Sequence, residues 1–128
     1  MRLLLDTHVF LWYLTDDPRL PTAFRSAIRE PANDVFLSVV SVWEIAVKVA
    51  LKRLPLADRV EKFVPQQRAL HGISSLELDE QSVFHFSRLP ALHRDPFDRM
   101  LVCQSISSGM PIVTPDFAIS AYPVQTLW

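Results

Sequence analysis

Leu3-Leu4-Leu5-Asp6-Thr7-His8-Val9-Phe10-Leu11-Trp12 is the stretch whose reading decides the fold. Three consecutive leucines without polar alternation read as a short strand covered on both faces, as strands of parallel sheets are. Asp6-Thr7 then opens a helix with Val9, Phe10, Trp12, Tyr13 and Leu14 as its apolar members. A strand that passes into a helix across a single acid predicts a β–α unit and, with more of the same, right-handed crossovers. The acid itself calls for an explanation. A carboxylate beside a buried strand is costly unless compensated, and a divalent metal is the usual compensation. Thr7 can cap the helix alone, a task worth about 1 kcal/mol, which leaves Asp6 for another role.

The same alternation continues along the chain. A second helix is expected from about Pro21 to Glu30, and Val35-Phe36-Leu37-Ser38 is the next strand. Ser41 is expected to begin a helix carrying Val42, Ile45 and Val49 that ends near Leu54-Pro55, and another spans roughly Ala57 to His71, kinked or split by Pro65. Ile73 to Leu76 is a weak strand, and Asp79 caps a helix through Val83 and Phe86. Pro96 to Ser108 is a helix with Phe97, Leu101, Val102 and Ile106 on one face and Gly109 as its C-terminal cap. Pro111 to Thr114 is a strand, Phe117 to Ser120 a short helix, and Val124-Gln125-Thr126 a possible edge strand. The expected architecture is a single α/β domain over residues 1–128. It has three layers, with helices on both faces of a central, mostly parallel sheet.

Bulk properties narrow the function. Apolar residues make up 49% of the 128 and charged residues 21%, the balance of a globular chain with a real core rather than a disordered one. The formal net charge of −1 gives no basic field, so any nucleic acid must be met by a local patch and held transiently. The lone Cys103 lies in an apolar helical pattern and reads as a buried thiol in a reducing cytoplasm. The apolar run at the N-terminus is cut short by Asp6, so no secretion signal is expected, and no stretch is long enough to span a membrane.

Further acids repeat the placement of Asp6. Asp116 follows Ile112-Val113-Thr114-Pro115, whereas Glu44 and Asp98 stand in the first turns of helices expected to return from the same rim. In open parallel sheets, functional groups collect beyond the carboxyl ends of the strands, where strand order reverses. Each acid also has a purely structural reading. Ser41-Val42-Trp43-Glu44 matches a capping box, in which Glu44 reaches back to the Ser41 backbone. In Asp95-Pro96-Phe97-Asp98, the Asp95 cap with Pro96 at the first helical position makes a good helix start, so Asp98 is the better metal candidate and Asp95 the second choice. Asp116 alone reads as a turn or cap, but together with Asp6 it reads as part of one acidic pocket, with the Thr114 hydroxyl placed to orient Asp116 or a metal-bound water. Other chemistries lack their residues. The chain has two glycines, too few for a phosphate loop, and His71, His85, His93 and Cys103 have no zinc spacing.

Four segments in order, Leu3 to Trp12, Ser41 to Ala46, His93 to Leu101 and Ile112 to Asp116, resemble the PIN-domain family, particularly its VapC-type toxins of type II toxin–antitoxin systems. The resemblance implies a Mg²⁺- or Mn²⁺-dependent endoribonuclease that cleaves RNA, inhibited by a small VapB-type antitoxin and assembled as a homodimer in the cytoplasm. By motif position Asp6, Glu44, Asp98 and Asp116 would be its acidic quartet, with Asp6 and Asp98 holding metal directly and Thr7, Asp95 and Thr114 nearby. Arg94 and Arg99 bracket the acid pair and would hold the RNA backbone, or simply balance charge. Three rivals stand beside this reading: a PIN nuclease of RNA processing or DNA metabolism without an antitoxin, a degenerate PIN domain used for binding only, which the presence of all four acids disfavours, and a haloacid-dehalogenase-like phosphatase. The phosphatase wants a second aspartate two residues after the first, where this chain has His8.

Overall fold

The computed structural model describes all 128 residues. Five strands, β1 (Arg2–Leu5), β2 (Asp34–Ser38), β3 (Ser74–Leu76), β4 (Ile112–Val113) and β5 (Thr126–Leu127), form one sheet in the order β3-β2-β1-β4-β5. Every pairing is parallel. Strand order reverses at β1: one crossover series leads outward through β2 to β3, the other through β4 to β5. The crevice between β1 and β4 is therefore the switch point, and it opens beyond Leu5 and Val113, which are paired in register.

The leucine run occupies this centre. Leu3, Leu4 and Leu5 are fully buried, and their alternation divides the core in two. Leu3 and Leu5 pack with Val9, Phe10, Ile28, Ile45, Val64 and Val113 on one face, whereas Leu4 joins Leu101, Val102, Met110, Ile112 and Ile119 on the other. Helices α1 (Thr7–Leu14), α2 (Thr22–Arg29) and α4 (Val60–His71) serve the first face, and α6 (Pro96–Ser108) with the short α7 (Phe117–Ser120) serves the second. Helix α3 (Val39–Ala50) touches both, through Ile45 and Val40 respectively. The three layers follow from a strand that is apolar on both sides.

Helix α6 has the expected bounds, with Asp95 as its cap, Pro96 in its first turn and Gly109 closing it at φ 68°. Helix α5 (Glu80–His85) begins after its Asp79 cap, which accepts from Ser82 N, and continues as a single 3₁₀ turn at Phe86–Arg88. Helix α3 ends at Ala50 rather than near Leu54-Pro55, and three further expectations shift. Helix α4 starts at Val60 rather than near Ala57, and Pro65 lies inside it. Strand β5 is Thr126–Leu127, paired with Ile112 and Val113, rather than residues 124–126. The third shift bears on the site: α3 starts at Val39, capped by Ser38, whose Oγ accepts from Val40 N at 3.0 Å. The last residue of β2 is thus itself the helix cap. No helix is long and apolar enough to cross a membrane.

Candidate active site

Asp6 leaves β1 at the switch point with extended backbone (φ −60°, ψ 148°) and caps α1, its Oδ1 accepting from His8 N at 3.3 Å. Its other oxygen, Oδ2, accepts the Thr114 hydroxyl at 2.6 Å, across 108 residues of chain. The same Thr114 oxygen accepts from Asp116 N at 3.1 Å, so one buried hydroxyl ties the acids after β1 and β4 together. Asp116 caps α7 through Ala118 N at 2.9 Å. Both acids serve as caps, so Asp6 caps α1 itself, contrary to the expectation that Thr7 would do so alone: Thr7 is the first residue inside the helix and its hydroxyl is engaged elsewhere, while Asp6 is only 3% exposed. Burial, the dominant influence, raises the pKa of Asp6 above the ordinary carboxylate value, against the hydrogen bond from Thr114 and the nearby His8.

Because α3 begins at Val39, Glu44 lies in its second turn and the capping box with Ser41 does not form. Ser41 is buried and turns to Thr7 instead. Thr7 Oγ1 lies 2.8 Å from both Ser41 Oγ and Glu44 Oε1. One hydroxyl has one proton and a carboxylate only accepts, so Thr7 donates to Glu44 and accepts from Ser41. Glu44, also 3% exposed, is thereby drawn to the first turn of α1, beside Asp6. Its Oε2 lies 2.7 Å from Lys48 Nζ.

Asp98 stands in the first turn of α6, while Asp95 caps that helix through Phe97 N at 2.8 Å and Asp98 N at 3.3 Å. Asp98 Oδ2 lies 2.9 Å from His93 Nε2. Burial pushes the Asp98 carboxyl up to about 7, reinforced by the negative charges of Asp6, Asp95 and Glu44 and opposed by the His93 hydrogen bond. Donor atoms of His93, Asp98 and Asp116 all lie within 4.8 Å of one another. Asp6 and Glu44 fall outside that group but act electrostatically on Asp98.

The four expected acids thus come to one rim: Thr114 joins Asp6 to Asp116, Thr7 ties Glu44 to α1, and Asp98 stands beside Asp116. Asp95 is occupied as a cap. Of the two arginines, Arg94 is exposed, whereas the Arg99 guanidinium lies over the Phe86 ring, 4.3 Å from its centroid. Two neighbours escape sequence reasoning. His93 has no zinc spacing to draw attention to it, and although it opens the third of the four family-like segments, no role is expected of it. Lys48 reads as a basic helix end. The donor set is hard oxygen with at most one imidazole, which suits Mg²⁺ or Mn²⁺ and does not suit a thiolate-loving metal.

Beside the acids runs a groove of about 540 Å³, lined by Leu11, Trp12, Leu14, Leu54, Leu56 and Phe63 among others. His8, whose Nδ1 is 3.9 Å from Asp6 Oδ1, also lines it, so groove and acid pocket adjoin. The apolar run of α1 divides accordingly: Phe10 and Tyr13 enter the core, and Leu11, Trp12 and Leu14 face the groove.

Known proteins share this frame. The sequence matches the PIN domain family over residues 3–124. It is 30% identical to Ribonuclease VapC22 of Mycobacterium tuberculosis, over 98% of this chain and 97% of that one. In three dimensions it is similar to VapBC2 from Rickettsia felis, solved bound to a DNA fragment from their promoter. The TM-score there is 0.74 at 13% identity, covering 99% of this chain and 98% of that one. It also resembles VapBC-1 from nontypeable Haemophilus influenzae, with a TM-score of 0.65 at 18% identity, covering 99% and 97% of the two chains. With the family match running almost end to end over a parallel sheet of this order, the dehalogenase-like alternative falls away, and the chain belongs to the PIN-domain family, in its VapC branch.

Proposed function

We propose that this protein is a metal-dependent endoribonuclease toxin that cleaves RNA and is neutralised by a VapB-type antitoxin. The observation that carries the reading is the convergence of Asp6, Glu44, Asp98 and Asp116 at the switch point of the sheet, where burial disfavours the charges of Asp6 and Asp98. The full-length likeness to a ribonuclease supports RNA as the substrate class. Asp6 and Asp98 hold the Mg²⁺ or Mn²⁺, with Asp116 and Glu44 completing the acidic wall. When bound, the ion supplies charge neutralisation for the scissile phosphate and a lower pKa for an attacking water.

The protein's own groups do the positioning. Thr114 fixes the Asp6 carboxylate through Oδ2, and the His8 backbone N–H holds Oδ1. Thr7 ties Glu44 to α1, and His93 holds Asp98 from the open side. Exposed Arg94, beside this entrance, holds the RNA backbone; Arg99, engaged with Phe86, contributes chiefly to packing. An antitoxin segment lies in the apolar groove at Trp12 and reaches the acids past His8. The toxin itself is a homodimer acting in the cytoplasm.

The deciding experiment is cleavage of total RNA by purified protein with Mg²⁺, Mn²⁺ or EDTA, with the ends mapped, and with Asp6→Asn alongside. Cleavage that needs metal and disappears in a folded Asp6→Asn protein is expected. Equal cleavage by that variant would remove the metal assignment. A PIN nuclease working without an antitoxin is the rival reading, and the absence of a small partner co-purifying from the native source would favour it.

A further inference from the structure

Lys48 follows Glu44 by one turn of α3, its Nζ 2.7 Å from Oε2. Ordinary i,i+4 pairs on a helix surface contribute a few tenths of a kcal/mol. This one is different in its surroundings. The Glu44 side chain is 4% exposed, and its other oxygen accepts the Thr7 hydroxyl at 2.8 Å. Both carboxylate oxygens therefore have partners within the protein. Among the acids of this rim, only Glu44 is paired with a lysine or arginine; Asp6 and Asp98 have histidines beside them. Glu44 and Asp6 both lie outside the group of donor atoms formed by His93, Asp98 and Asp116, so the lysine partner is what sets Glu44 apart from Asp6.

We infer that Lys48 is a positioning residue of the site: its ammonium balances Glu44 and holds it against Thr7, leaving Asp6, Asp98 and Asp116 to bind the metal. The inference rests on the metal-dependent reading above and refines it. Glu44 then braces α3 against α1 beside the crevice, and the Lys48 ammonium offsets part of the negative charge that Glu44 places on Asp6 and Asp98. Removing either member unmasks the other, with opposite consequences for a divalent cation nearby.

The test is Mn²⁺ binding to the RNA-free protein by calorimetry, arranged as a double-mutant cycle. Lys48→Met frees the Glu44 charge and tightens Mn²⁺ binding about tenfold, the size of one monovalent–divalent interaction across a few ångströms of water-like dielectric. Glu44→Gln leaves the ammonium unbalanced and weakens binding by a similar factor. Combining the two returns the affinity close to that of the original protein, and Lys48→Arg alone leaves it there. Thermal melts verify folding, and Lys48→Gln replaces Lys48→Met should the latter not fold. If the double variant binds as weakly as Glu44→Gln, then Glu44 is a ligand and the inference is overturned. It is equally overturned if Lys48→Met leaves the affinity unchanged. Failure of the unsubstituted protein to bind Mn²⁺ at all would instead remove the metal reading on which the inference stands.

Discussion

Replacing Asp98 by asparagine should stabilise the metal-free protein while destroying its cleavage of RNA. The size of the effect follows from the carboxyl's surroundings. Its pKa rises from the ordinary 3.8 to about 7, principally through burial. Each pH unit between the folded and unfolded values is worth 1.36 kcal/mol, which sets a ceiling of about 4 kcal/mol. The side chain keeps 13% exposure at the mouth of the crevice, and solvent there reduces the gain to about 1–2 kcal/mol. The sign is fixed by linkage. Below the unfolded pKa both states are protonated and the group costs nothing. As pH rises from about 4 to about 7, the unfolded chain ionises first, and the fold loses stability. Above about 7 the loss is complete and constant. Asparagine cannot ionise, and its amide can still donate to His93 Nε2, so the variant avoids the loss without orphaning the imidazole. The assay is thermal or urea unfolding in EDTA from pH 4.5 to 8. The difference between the two proteins reports Asp98 together with its repulsion of Asp6, whose own raised pKa gives a slope of the same sign in both. Near pH 7.5 the variant should melt several degrees higher, on the order of 3–6 °C per kcal/mol for a chain of this length. Added Mg²⁺ should narrow the gap by stabilising the unsubstituted protein more. A variant that melts lower than the original in EDTA at pH 7.5, or a difference between them that does not change with pH, would refute the reasoning.

Other substitutions separate cap, brace and interface. Asp95→Ala should lower stability by about 1 kcal/mol, as loss of a helix cap does, and leave substantial metal-dependent cleavage; loss of cleavage with unchanged melting would make Asp95 a ligand. Thr114→Val removes the hydroxyl shared by Asp6 Oδ2 and Asp116 N, and should cost about 1–3 kcal/mol in chemical denaturation together with much of the activity. A fully active Thr114→Val protein would show that this hydroxyl does not set the position of Asp6. Trp12→Glu places a charge in the apolar groove and should weaken antitoxin binding while sparing intrinsic cleavage. Unchanged antitoxin affinity in a folded Trp12→Glu protein would move the interface elsewhere.

What the sequence determined by itself is what short-range chemistry determines. Three unbroken leucines specify a strand apolar on both faces, and such a strand needs helices on both sides, hence the layered α/β fold. Asp95-Pro96 and Gly109 set the two ends of α6 because cap and stop signals act within one turn. Asp6 and Asp116 could be placed on one rim because acids that follow parallel strands must lie at the same end of the sheet. Glu44 shows where this kind of reading stops. Its sequence fits a capping box with Ser41, but the cap lies three residues earlier, with Ser38 as both the strand's end and the helix cap. Ser41 and Glu44 then meet Thr7, 34 and 37 residues away, instead of each other. His93 owes its place beside Asp98 to a loop fixed in part by the Tyr122 hydroxyl, which accepts from its backbone N–H at 3.0 Å. Thr114 meets Asp6 only because β4 docks in register against β1. These are contacts between segments that no local periodicity relates, so tertiary packing decided which distant polar groups reach Asp6 and Glu44 and how far burial disfavours the charges of Asp6 and Asp98.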